Sequence, residues 1–117
     1  RMEELVDNAA VHLMGPLGYI DFMNGIMHSK CVITDSGGIQ EETTWLKVPC
    51  ITLRPNTERP ITITEGTNIL AKPETLQHEL QKIRTKSRIL HDTIEFWDGK
   101  TAQRCLESLE LFLATKR

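Results

Sequence analysis

Two short runs rich in β-branched residues, CVIT at 31–34 and VPCITL at 48–53, flank a stretch of helical character, GGIQEETTWLK. Neither run alternates apolar with polar residues, so each reads as a strand covered on both faces. A helix between two such strands, with short connections, argues for a parallel sheet with right-handed crossovers. The flanking segments extend the pattern. VHLM at 11–14, ended by Gly15-Pro16, is the expected first strand, and Asn68–Ala71 the fourth. LGYIDFMNGIMHS at 17–29 places Leu17, Ile20, Met23 (or Phe22) and Met27 at helical spacing. Residues 54–68, RPNTERPITITEGTN, read as a long ordered loop in which ITIT is a brief extended piece.

Two further helices follow. ETLQHELQKIRTK turns Leu76, Leu80 and Ile83 inward, and KTAQRCLESLELFLATK gathers Ala102, Cys105, Leu106, Leu109 and Leu113 on one side. Four short strands are few for a free-standing doubly wound domain. The sequence therefore reads as the second half of a larger one.

At 117 residues the chain is one domain or less. A net charge of −2 and a pI near 6.1 lack the basic excess that a nucleic-acid or anionic-membrane surface needs. With 39% apolar and only 5% aromatic residues, the core is expected to be mostly aliphatic. No apolar run approaches the roughly 20 residues of a membrane span. The first residues, RMEELVDNAA, have no export-signal core, so a cytoplasmic location is expected. Cys31, Cys50 and Cys105 form no CxxC and read as buried reduced thiols.

The chemistry concentrates in ITDSGGIQEE at 33–42. Ligands of open parallel sheets sit beyond the carboxyl ends of the strands, where Asp35-Ser36-Gly37-Gly38 spans the turn into a helix. Unpaired amides and the positive end of the helix dipole favour an anion there, and Ser36 adds a hydroxyl. The same four residues also suit an ordinary helix N-cap. Glu42, about one turn further on, is placed to accept from vicinal hydroxyls, as acids do for ribose in dinucleotide sites. Phosphate at the turn and ribose at the acid describe a nucleotide. Glu41 points about 100° away and reads as a solvated helix charge.

DSGGIQEE, then KVP, TERP, EGTN and FWDGKTAQR, resembles in order the C-terminal part of the non-hydrolysing UDP-N-acetylglucosamine 2-epimerases. The resemblance begins at GPLGYIDF and covers nearly the whole chain. It implies an α/β fold: the C-terminal half of a Rossmann-like domain, one of two facing each other across a cleft in a glycosyltransferase-B-like arrangement. It also implies interconversion of UDP-GlcNAc and UDP-ManNAc by elimination and re-addition of UDP, without a cofactor. Residues 1–117 would be a partial UDP-binding domain, dependent on an N-terminal domain and on a possible homodimer. Carried over, the roles put Ser36, Gly37 and Gly38 on the diphosphate, Glu42 on the ribose, Arg59 beside the phosphates and Phe22 against the uracil.

Arg59 also suits a loop salt bridge with Glu58 or Glu65, and Phe22 also suits plain core packing. Leu17 stands where family members can offer a polar side chain, and Ile61 follows TERP where many have Glu. The family's acid/base carboxylates and histidine belong to upstream segments, so no catalytic residue is assigned here. His12, His28, His78 and His91 read as structural or solvated, and no cluster has metal-ligand spacing. Two other readings stay open: the nucleotide domain of a glycosyltransferase, and a non-catalytic truncated remnant. In the parent fold the last helix crosses to the first domain, so its apolar stripe is expected to stay exposed, to self-associate or to fold back onto the sheet.

Overall fold

A computed structural model of the chain describes residues 10–85 and 93–116. Helix α1 (Tyr19–Met27) precedes strand β1 (Val32–Thr34), helix α2 (Gly37–Trp45) and strand β2 (Cys50–Thr52). A one-turn helix α3 (Ile61–Thr64), strand β3 (Asn68–Leu70), a 3₁₀ turn (Pro73–Thr75) and helix α4 (Leu76–Thr85) follow, and α5 (Thr101–Thr115) ends the chain. The strands form a parallel sheet in the order β1-β2-β3, in register Ile33↔Ile51↔Ile69. The strand–helix–strand alternation is as the sequence predicts. Lys86 and His91 lie outside the described residues.

The expected first strand, VHLM, is absent: residues 11–14 are irregular, and Leu13 and Met14 are exposed. That leaves β1 on the edge of the sheet, so Ile33 is 45% exposed rather than covered on both faces. Central β2, by contrast, is wholly buried. ITIT forms α3 instead of an extended piece. Pro60 precedes it at φ −59°, already helical, and the Thr62 hydroxyl donates to the Arg59 carbonyl at 2.8 Å. In α1 the buried residue is Ile26, while Ile20, Phe22 and Met27 remain exposed, as does Leu17 before the helix. In α4 the expected Leu76, Leu80 and Ile83 are the half-buried side.

The interior is less aliphatic than composition suggests. Ile26, Val48, Cys50, Ile51 and Ala71 are buried together with Gln40, Thr43, Thr44, Thr52, Thr62, Thr67 and Asn68. The polar set is tolerable because the side chains of all but Thr67 bond to other side chains or to the backbone. Thr52 donates to Asn68 Oδ1 at 2.6 Å, and Asn68 Nδ2 donates to Gln40 Oε1 and Thr62 Oγ1 at 3.1 and 3.2 Å. Only Thr67 Oγ1 lacks a partner among the buried side-chain polar atoms described. Gly66 lets its turn close onto α2 and α3, since a Cβ there would lie 2.5 Å from the Thr44 hydroxyl and 2.6 Å from the Thr62 carbonyl oxygen.

Helix α2 starts after Ser36, whose backbone is extended, and stops in a Schellman motif. Val48 N–H donates to the Thr43 carbonyl and Lys47 N–H to the Thr44 carbonyl, at 2.9 and 3.1 Å. Lys47 occupies the left-handed position at φ 58°.

The FWDGKTAQR motif closes on itself. Arg104 donates to Asp98 Oδ2 at 2.9 Å and to the Phe96 carbonyl at 3.0 Å, with its guanidinium 5.1 Å from the Phe96 ring centroid. Gly99 supplies the φ of 75° that the turn requires. Beyond it, α5 buries none of its residues: Leu106, Leu109, Phe112 and Leu113 are all more than half exposed. Its apolar stripe thus stays open and does not fold back on the sheet. Cys105 on the same helix is exposed, unlike buried Cys50 and half-buried Cys31. Burial pushes the Cys31 thiol up to about 11.

Candidate functional site

β1 ends at Thr34, and its side chain positions the turn by accepting the Ser36 N–H at 3.0 Å. Ser36 makes no side-chain cap bond to α2. Ser36 is exposed, and its hydroxyl does not occupy the first helical amides, which suits an anion site at the carboxyl end of β1.

Arg59 arrives from the loop after β2. A Cβ on Gly37 would lie 2.5 Å from Arg59 Nη1 and 3.7 Å from Nη2, so the guanidinium rests directly on the turn. The structure thus brings together four of the expected residues: Ser36, Gly37, Gly38 and Arg59. Glycine is needed at position 37 for this approach.

The two acids of α2 have different partners, although both border one open recess. Glu41, expected to be solvated, instead accepts from Arg59 Nε at 2.8 Å. That bond raises the arginine's pKa above its ordinary value. Glu58 lies 3.6 Å from Arg59 Nη1 and is also held by Arg54, at 3.2 and 3.3 Å. Its carboxyl is kept below the usual range by its own backbone hydrogen bond and then by Arg54. Arg59 thus does form loop salt bridges, with Glu41 and Glu58.

Glu42 is held instead by α1, where Tyr19 donates to its Oε1 at 3.0 Å. This hydrogen bond raises the tyrosine's pKa, and the negative charge of Glu42 adds to the effect. The two side chains border an open recess of about 390 Å³, which Met23, Trp45 and Trp97 also line. Met23 supplies the α1 wall there. Phe22 is 40% exposed on the same helix and does not line this recess, so it is the expected site residue that stands apart. Leu17 is exposed just before α1.

A family model described as UDP-N-acetylglucosamine 2-epimerase matches residues 1–110. The chain belongs to the UDP-N-acetylglucosamine 2-epimerase family. An epimerase of that name from Methanococcus maripaludis is 38% identical over 104 residues, covering 87% of this chain and 28% of its own length. One from Salmonella typhimurium is 35% identical over 111 residues, covering 87% and 29%. The crystal structure of the Methanocaldococcus jannaschii UDP-GlcNAc 2-epimerase in complex with UDP-GlcNAc and UDP superposes with a TM-score of 0.79 at 38% identity, covering 94% of this chain and 30% of that one. The chain therefore spans under a third of the length of these epimerases, and its parallel sheet with flanking helices is part of their larger fold.

Sequence reasoning missed Gln40, Thr57 and Asn68, which tie the turn to the Arg59 loop. Thr57 donates to Gln40 Oε1 at 2.6 Å and accepts the Arg59 N–H at 3.0 Å. The signal was present: Gln40, Thr43 and Thr44 follow one another along the inward side of α2, where an ordinary amphipathic helix carries apolar residues. Among the described residues no group of three or more His, Cys, Asp or Glu side chains could hold a metal ion. None of the described helices is long and apolar enough to cross a membrane.

Proposed function

We propose that this chain is the UDP-holding part of an enzyme that interconverts UDP-GlcNAc and UDP-ManNAc. The observation that carries the reading is the apposition of the Arg59 guanidinium with the Gly37 turn, next to α2 amides at the edge of the sheet. In the elimination step the C1–O bond breaks as a proton leaves C2, and negative charge gathers on the departing UDP oxygen. Arg59, the α2 amides and Ser36 would stabilise that charge, and re-addition would run through the same contacts. Glu42 would accept the ribose hydroxyls, and Phe22 would lie against the uracil. Proton transfer at C2 requires groups within hydrogen-bond reach, which this reading assigns to an N-terminal domain. We place the enzyme in the cytoplasm, as a possible homodimer, supplying precursors for polysaccharides.

Calorimetric titration tests the assignment. UDP should bind the chain more tightly than uridine does, and Arg59→Ala should erase most of that difference. Incubated alone with UDP-GlcNAc, the chain should yield neither UDP-ManNAc nor free UDP. Turnover by the chain alone would overturn the proposed division of labour.

A further inference from the structure

Gln40 is a fully buried side chain whose every polar atom is engaged, and its partners lie on both halves of the candidate site. Its Nε2 donates to the Ser36 carbonyl at 3.4 Å, on the turn. Its Oε1 accepts from Thr57 at 2.6 Å, on the Arg59 loop, and from Asn68 at 3.1 Å, on β3. Thr57 has one hydroxyl proton. Spending it on Gln40 leaves its lone pairs for the Arg59 N–H, which it accepts at 3.0 Å. An unbroken series of hydrogen bonds therefore runs from the Ser36 carbonyl through Gln40 and Thr57 to the backbone of Arg59. At the other end of the side chain, Glu41 holds Nε at 2.8 Å. Held at both ends, the guanidinium brings its two Nη groups up to Gly37, with the Glu58 carboxylate 3.6 Å from Nη1.

We propose that Thr57 is a positioning residue, which touches no ligand itself and fixes Arg59 at the turn through its link to buried Gln40. The functional side of this rests on the reading of Arg59 as a diphosphate contact. The arrangement holds the cation in place before ligand arrives, so binding spends little on ordering a loop. Thr57 also explains itself chemically: valine matches its shape but can neither donate to Gln40 nor accept from Arg59, whereas serine can do both.

The test compares Thr57→Val and Thr57→Ser in the full 117-residue chain. Hydrogen exchange at the Arg59 amide and the affinities for UDP and uridine are the readouts. Thr57→Val should speed Arg59 amide exchange and lower UDP affinity about tenfold while leaving uridine affinity unchanged, and Thr57→Ser should restore both. Unchanged Arg59 exchange in Thr57→Val, or an equal loss for UDP and uridine, overturns the proposal. Should Thr57→Val not fold, the unsubstituted chain still decides. A slowly exchanging Thr57 hydroxyl proton supports the link, and a freely exchanging one refutes it. If the unsubstituted chain shows no preference for UDP over uridine, the role of Arg59 falls, and amide exchange still decides that of Thr57.

Discussion

Tyr19 and Glu42, 23 positions apart in sequence, meet through a 3.0 Å hydrogen bond that joins α1 to α2. The phenol orients the carboxylate while leaving its second oxygen without this bond. A ribose diol bound there would meet an acceptor already aimed. Tyr19→Phe should therefore reduce the preference for UDP over 2′-deoxy-UDP several-fold, and Glu42→Ala should abolish it. Competitive titration of the two nucleotides measures both. Equal preference in Tyr19→Phe and the parent chain would remove Tyr19 from the ribose site.

Gly37→Ala should separate binding from stability. The new Cβ would meet the far end of the Arg59 side chain, which can swing away, so stability should change by less than about 1 kcal/mol. The displaced guanidinium would no longer cover the turn. UDP affinity should fall about as far as in Arg59→Ala, and the double variant should be no worse than either single one. Additive losses in that cycle would show that Arg59 does not act at Gly37.

Lys47→Gly should stabilise the chain. Lys47 holds a left-handed conformation, φ 58°, in the Schellman stop of α2, and glycine takes that conformation without the clash a Cβ brings. A gain of about 1 kcal/mol in urea unfolding is expected. A loss would mean that contacts of the lysine side chain outweigh the backbone strain.

Acid should loosen the start of α5. Asp98 has its pKa lowered to about 2, first by the Arg104 hydrogen bond and next by the Lys100 amide. Because the folded value lies below the ordinary 3.8, this contribution is complete above about pH 4 and is lost as the pH falls toward 2. Amide shifts of Lys100 followed by NMR should move through that window, and Asp98→Asn should remove the step. A Lys100 signal that stays flat from pH 4 to 2 would disprove the pairing.

Legibility of the sequence varied with how local the governing physics was. The strands at Cys31–Thr34 and Val48–Leu53 and the glycine turn announced themselves through composition and spacing. The pairing of Ser36–Gly38 with Arg59 came instead from the resemblance that DSGG and TERP bear to the epimerase family. The run VHLM failed because three apolar residues around His12 are too weak a local signal to make a strand, and residues 11–14 do not pair with the open edge of β1. ITIT failed because its β-branched alternation was overruled by Pro60 and by Thr62 bonding backward to Arg59. Glu41 was misjudged because helical geometry gives a direction but not the partner waiting there from a loop 18 residues away. The polar inward series Gln40, Thr43 and Thr44 was legible as a pattern, but the bonds it makes were not, because the sequence scatters the partners of Gln40 across positions 36 to 68.

The two sides of the candidate site are anchored unequally. Replacing one member of the Ser36–Gln40–Thr57–Asn68 series strands its neighbours, so that side tolerates change only when several positions shift together. Helix α1, which carries Tyr19 and Phe22, reaches the interior through Ile26 alone among its residues. Over evolutionary drift, then, descendants of such a sequence should diversify at the end bearing the aromatics long before they alter how a phosphate chain is gripped.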